Sequence, residues 1–133
     1  MSDIVIDTHV AIWHFATPDA LSKTAAKIVD EAEANGLIYV SAITLVELVY
    51  LVEKNRIPRD VLDLLRSALD DQTTAFHLAE LNRHVTDAVE RIPYNSIPDM
   101  PDRIISATAL HLNLPLVTRD SRIRSTDLIQ TVW

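Results

Sequence analysis

The 133-residue sequence contains no cysteine and a single glycine, and both scarcities limit what the protein can be. Without cysteine there are no disulfide bonds and no thiolate metal sites, so any bound metal ion must use oxygen or imidazole ligands. With Gly36 as the only glycine, the chain has no Gly/Ser-rich linker, and its length suits one hydrophobic core. We therefore expect a single domain over residues 1–133.

Long hydrophobic runs are also missing. No apolar stretch reaches the roughly 18 residues that suggest a membrane span. The first residues, MSDIVID, lack the basic and apolar regions of a secretory signal. We expect a cytoplasmic protein that does not contact a membrane.

Positive charge is scarce, because Asp and Glu outnumber Lys and Arg by 19 to 12 and the net charge is −7. This sign disfavours a protein held on nucleic acid by a broad basic surface. It is compatible with a cluster of carboxylates and with a basic partner protein, and it is also typical of chains that are merely soluble. The arginines are concentrated locally, with Arg119, Arg122 and Arg124 in one short segment and Arg103 before it.

Short β-branched runs alternate with helical patterns, and hairpin signals are nearly absent. This alternation predicts an α/β domain with a mostly parallel central sheet, flanked by helices on both faces. The predicted strands are 3–7, 37–40 and 114–118, with weaker candidates at 73–78 and 128–133. The predicted helices are 9–16, 23–34, 42–54, 58–71, 79–92 and a last one that begins near Pro101 and extends to 113.

The stretch SAITLVELVYLVEKN (41–55) places a carboxylate in an apolar helix. From Ala42 to Val52 only Thr44 and Glu47 are polar, which predicts a helix that is buried on all sides. A lone ionised carboxylate in such a place costs several kcal/mol unless it is paired or holds a metal. We therefore predict that Glu47 contacts a metal ion or its water, with a buried pair to an arginine as the alternative.

Three further carboxylates are predicted at one edge of the sheet. Asp7 ends the first strand and Asp120 lies two residues after strand 114–118, where open α/β sheets bind their ligands. Asp102 falls in the first turn of the helix before that strand, where the helix dipole favours an anion. Simple capping of turns and helices is the alternative for each of them.

A pocket of such carboxylates requires cations, and hard oxygen ligands suit Mg²⁺ or Mn²⁺. These ions activate water and stabilise the oxygens of a phosphoryl displacement. The pattern therefore points to metal-dependent phosphoryl chemistry.

Three segments carry a resemblance to a known family: IVIDTHVAIW, VSAITLVELVYLVEKNRI and IPDMPDRIISATALHLNLPLVTRDSRIR. Together they resemble the PIN-domain family and, within it, the VapC-type toxins of bacterial toxin–antitoxin pairs. The resemblance runs from Asp3 to Trp133 and includes the order and approximate spacing of all four acids. It implies a PIN-like α/β/α sandwich and a metal-dependent endoribonuclease. The metal-binding and catalytic residues that it implies are Asp7, Glu47, Asp102 and Asp120.

The resemblance also implies accessory residues and partners. Asp99 is a candidate to assist the four acids, and Thr118 resembles a hydroxyl that family members place near the site, although a strand-end residue explains it equally well. Arg103 and Arg119 are candidates to contact RNA phosphates. The implied partners are an RNA substrate, a cognate antitoxin whose basic segment enters the acidic site, and a second copy of the chain in a homodimer.

Other functions remain open. They are a PIN-like 5′-nuclease acting on structured DNA and a non-enzymatic module that binds a partner and its operator DNA. A phosphohydrolase with an aspartyl nucleophile is disfavoured, because His9 stands where a second aspartate is required. We interpret Trp13, Tyr50 and Trp133 as core or dimer-interface residues, with the stacking of RNA bases as the alternative.

Overall fold

Five short strands form one all-parallel sheet in the computed structural model, which describes residues 2–133. The strands are β1 (Ile4–Ile6), β2 (Ile38–Ser41), β3 (Phe76–Ala79), β4 (Leu116–Val117) and β5 (Thr131–Val132). Their order in the sheet is β3-β2-β1-β4-β5. The chain therefore builds the sheet outward from β1 in both directions, and the carboxyl ends of β1 and β4 lie side by side at the point where the direction changes.

Helices cover both faces of this sheet. The first four helices pack against one face and the last three against the other, each around its own cluster of buried side chains. This arrangement confirms the predicted α/β/α sandwich. No helix within residues 2–133 is both long and apolar enough to cross a membrane. The helices are α1 (Thr8–Ala16), α2 (Lys23–Asn35), α3 (Ala42–Glu53), α4 (Arg59–Asp70), α5 (Arg83–Glu90), α6 (Met100–Leu112) and α7 (Ser121–Arg124).

The position of strand β1 between two hydrophobic cores explains why its sequence is apolar at every position. Ile4 and Ile6 point into the core beneath the first four helices, whereas Val5 points into the other core. All three side chains are at most 2% exposed. Each contributes about 1.5–3 kcal/mol by leaving water, and the strand therefore forms a rigid base for the residue that follows it.

Helix α3 differs from the prediction that it is buried on all sides. Val46 and Tyr50 are 60% and 55% exposed, whereas Thr44 and Leu48 are buried. Positions 46 and 50 are one turn apart, so they share a face of the helix that stays in water. Glu47 lies between the two faces and is half-buried. The prediction failed because composition alone does not show which apolar residues of a helix the fold covers.

The only glycine lies where the chain crosses closely over its own N-terminal segment. Gly36 ends α2, and a Cβ atom added to it would stand 2.7 Å from the carbonyl carbon of Ser2. We expect Gly36→Ala to lower the free energy of unfolding by about 1–3 kcal/mol, because the backbone must shift to admit the methyl group. Urea denaturation measures this change, and an unaltered midpoint would show that the N-terminal segment moves aside without cost.

Candidate active site

A cavity of about 350 Å³ opens at the carboxyl edge of the sheet and brings the four predicted carboxylates together. We call it the acidic pocket. Its lining residues are Asp7, Thr8, His9, Trp13, Glu47, Asp102, Arg119 and Asp120.

Asp7 occupies the deepest position among these carboxylates. It follows β1 directly and is only 6% exposed. One side-chain oxygen, Oδ1, accepts a hydrogen bond of 2.9 Å from the backbone N–H of Val10 and so caps α1. The other, Oδ2, accepts a hydrogen bond from the hydroxyl of Thr118. Burial raises the pKa of Asp7, and the bonds from Thr118 and Val10 oppose that rise.

Thr118 connects the carboxylate of Asp7 to the backbone of Asp120. It follows β4 and is fully buried, and while its hydroxyl donates to Asp7, its oxygen accepts the backbone N–H of Asp120 at 3.0 Å. Asp120 in turn caps α7 by accepting from the N–H of Ile123 at 2.9 Å. The capping alternative for Asp7 and Asp120 is thus also correct, since each residue caps a helix and lines the acidic pocket.

Glu47 reaches the pocket from α3 and is held by a hydroxyl. The hydroxyl of Thr8 donates to Oε1 of Glu47, and it lies 3.0 Å from the hydroxyl oxygen of Thr44. No lysine or arginine within residues 2–133 forms a salt bridge with Glu47, which removes the predicted alternative of a buried ion pair. Burial raises the pKa of Glu47, whereas the bond from Thr8 lowers it.

Asp102 lies in the first turn of α6, as predicted, and Asp99 caps that helix. Oδ1 of Asp99 accepts the backbone N–H of Asp102 at 3.0 Å, while the Asp99 side chain itself is exposed and does not line the acidic pocket. Burial, followed by the negative charges of Asp99, Asp120, Glu47 and Asp7, raises the pKa of Asp102 to about 7. The pocket therefore concentrates more negative charge than it can keep ionised by itself.

The chemistry of this donor set fits a hard divalent cation. The pocket offers carboxylate oxygens from four elements of the fold, and a cation would relieve the repulsion that raises the pKa of Asp102. In the geometry observed for residues 2–133, no three acidic or imidazole side chains are close enough together to hold one ion. Asp7 and Glu47 instead each accept a hydrogen bond from a threonine hydroxyl.

The two arginines predicted to contact phosphate have different surroundings. Arg119 lines the acidic pocket. Arg103 does not, because its Nε donates to the carbonyl of Ile92 at 2.9 Å and a terminal nitrogen donates to that of Val89 at 3.0 Å. The guanidinium of Arg103 thus stabilises the C-terminal end of α5 and does not face the acidic pocket.

Three lining residues, Thr8, His9 and Trp13, lie outside the set of site residues predicted from the sequence. Thr8 is the donor to Glu47, and a hydroxyl directly after Asp7 in the DTH segment was the only signal that could have identified it. Trp13 does pack against the core, as interpreted, but it also lines the acidic pocket.

Comparisons with known proteins agree on one family. The sequence pattern of the PIN domain matches residues 4–128. The chain is 32% identical over 125 residues to Ribonuclease VapC22 of Mycobacterium tuberculosis, covering 94% of this chain and 92% of that one. Its fold resembles the VapBC2 structure from Rickettsia felis bound to a promoter DNA fragment, with a TM-score of 0.74, 16% identity, and coverage of 98% and 97%. It also resembles DNA-bound VapBC from Salmonella typhimurium, with a TM-score of 0.74, 17% identity, and coverage of 99% and 98%.

Proposed function

The chain belongs to the PIN domain family, and from this premise we propose that it is a metal-dependent endoribonuclease that acts as the toxin of a toxin–antitoxin pair. The convergence of four carboxylates on one pocket is the observation that carries the proposal. The relative from Mycobacterium tuberculosis is named a ribonuclease, which favours RNA over structured DNA as the substrate. The toxin role follows from the VapC name of that relative.

The metal belongs in the acidic pocket. Oxygen ligands without thiolate or paired imidazole favour Mg²⁺ or Mn²⁺ over softer ions. When bound, such an ion supplies the positive charge that activates water and stabilises the phosphoryl oxygens during hydrolysis. The residues that would hold it are Asp7, Glu47, Asp102 and Asp120.

Two threonines position these carboxylates. Thr118 links Asp7 to the backbone of Asp120, and Thr8 orients Glu47. Hydrogen bonds of this kind fix the orientation of ligating groups and typically account for about 10- to 100-fold in metal affinity or activity. Asp99 assists less directly, because it caps the helix on which Asp102 lies and adds negative charge nearby.

An antitoxin with a basic segment is the protein partner that the pocket suits. A lysine or arginine side chain entering it would neutralise the same carboxylates and exclude the substrate. The net charge of −7 favours the approach of such a segment. By resemblance to VapC-type toxins we also expect a homodimer that acts on RNA in the cytoplasm.

Cleavage of RNA by the purified protein, free of any partner, tests the proposal. We expect discrete fragments from a mixed cellular RNA pool in Mg²⁺ or Mn²⁺ and none in EDTA. Titrating each ion separately identifies which one the protein prefers. Equal cleavage in EDTA would exclude the metal-dependent mechanism, and no cleavage of any RNA would favour a module that only binds its partner.

A further inference from the structure

An aromatic wall forms one side of the acidic pocket. Its centre is Trp13 on α1, and the His9 ring, one turn earlier and 5.6 Å away, lines the pocket with it. The Trp133 ring lies 5.7 Å from that of Trp13 but does not line the pocket. His9 is exposed, and both tryptophans are half-buried. Part of the Trp13 ring therefore packs against the core while another part remains accessible from the pocket.

The guanidinium of Arg119 lies over this wall instead of pairing with an acid. Its central carbon is 6.0 Å from the centre of the Trp13 ring. Arg119 borders a pocket of four carboxylates, yet within residues 2–133 it forms no salt bridge. A cation held by a ring face at this distance is only weakly bound and can move to a better partner.

An aromatic ring beside a cationic group is complementary to a nucleotide, which carries a base beside a phosphate. A base stacks on an aromatic ring regardless of its sequence, and an arginine beside it can stack on the base or contact the phosphate. A base inside a duplex is already covered on both sides, so only an unpaired base can lie against a wall of this kind.

We propose that Trp13 and Arg119 form a base-stacking subsite that holds an unpaired nucleotide next to the scissile phosphate. This inference rests on the proposed ribonuclease function, because the carboxylates supply the hydrolysis and the wall only places the RNA. Trp13 is thus a positioning residue that contacts the substrate. The subsite selects for exposed bases and not for one particular base.

Substitutions of Trp13 distinguish its stacking on an RNA base from its packing against the protein core. On a single-stranded RNA substrate we expect Trp13→Leu to lower kcat/KM by about 5- to 100-fold, the effect of losing one base–aromatic stack, mainly through a higher KM. Trp13→Phe keeps an aromatic face and should retain most of the activity. The matched control is Tyr94→Leu, since Tyr94 is 72% exposed and does not line the pocket. Thermal melting establishes that each variant is folded.

A binding experiment tests the subsite without cleavage. In the double variant Asp7→Asn, Trp133→Phe, the fluorescence of Trp13 is the only tryptophan signal, and we expect single-stranded RNA to quench it and the same sequence as a duplex to leave it unchanged. Equal quenching by both forms, or none by either, would overturn the subsite. If the parent cleaves RNA and Trp13→Leu has the same KM, the subsite is wrong although the ribonuclease function stands. Failure of the parent to cleave any RNA, with quenching preserved, would instead overturn the proposed function alone.

Discussion

Replacing Asp7 with asparagine is expected to lower RNA cleavage by about a hundredfold to a thousandfold. In the proposed mechanism the removed charge is one that the cation requires, and such charge stabilisation is worth several kcal/mol in the transition state. Asp7 is also the most deeply buried of the four carboxylates. Initial rates on one mapped RNA substrate, in saturating Mg²⁺ or Mn²⁺, measure the effect.

The fold should survive this substitution. The asparagine Oδ1 can still accept the N–H of Val10, and the new amide group can donate to the Thr118 oxygen. Because burial raises the pKa of Asp7, its ionised form costs stability at neutral pH, and the neutral amide removes that cost. We therefore expect the melting temperature to stay equal or to rise.

The control for this variant is Asp30→Asn. Asp30 is exposed on α2, makes no side-chain hydrogen bond in the described residues, and undergoes the same chemical change. Cleavage by Asp7→Asn at the rate of Asp30→Asn would exclude Asp7 from the metal site. A fall in melting temperature that accompanies the lost activity would instead assign Asp7 a structural role.

Replacing Asp102 with asparagine is expected to stabilise the metal-free protein, and increasingly so as the pH rises. Burial and the surrounding acids raise the pKa of Asp102 to about 7 in the folded state, whereas the ordinary aspartate pKa of about 3.8 applies to the unfolded chain. Below pH 4 the residue is protonated in both states. Between pH 4 and 7 only the folded state retains the proton, so the stability that this proton contributes is lost as the pH increases. Asparagine has no proton to lose.

Melting temperatures of the parent and of Asp102→Asn, measured in EDTA from pH 5 to pH 8, test this expectation. The melting temperature of the variant should exceed that of the parent by about 5 °C at pH 8, the shift that roughly 1 kcal/mol produces in a domain of this size. At pH 5 the difference should be much smaller. A constant difference across this range would mean that Asp102 is fully solvated. Asp30→Asn again serves as the control.

The melting temperature of Asp102→Asn should also rise less than that of the parent when metal is added. In the parent, Mn²⁺ must displace the proton of Asp102, so the metal-induced rise in melting temperature should be larger at pH 8 than at pH 6. In Asp102→Asn the rise should be small at both values. An undiminished rise in the variant would place the ion elsewhere.

Much of the site could be predicted because parallel topology fixes where strands end. Asp7 and Asp120 each follow a buried apolar run, and neighbouring parallel strands necessarily bring such positions together. Asp102 was predictable from the proline-rich start of its helix. For these residues, local pattern and global fold lead to the same answer.

The remaining features depend on contacts between distant residues. Thr8 and Glu47 are 39 positions apart, and nothing in either local sequence indicates their hydrogen bond. The sequence does not distinguish Arg103 from the other arginines, and only the structure shows that backbone carbonyl oxygens accept its hydrogen bonds. The half-exposure of α3 is likewise set by which neighbours the fold supplies, and composition alone led to a wrong prediction there.

The central position of β1 has a consequence for biosynthesis. Its two partners in the sheet are β2, some thirty residues on, and β4, whose Leu116 pairs with Val5. A nascent chain synthesised only as far as α6 already contains Asp7, Glu47 and Asp102, but it has neither the strand that completes the centre of the sheet nor Asp120. Strands so far apart in the sequence as β1 and β4 pair slowly, because the conformational entropy of the intervening chain is lost before their contacts form. The acidic pocket therefore stays incomplete, with one of its four carboxylates still missing, during most of the protein's translation.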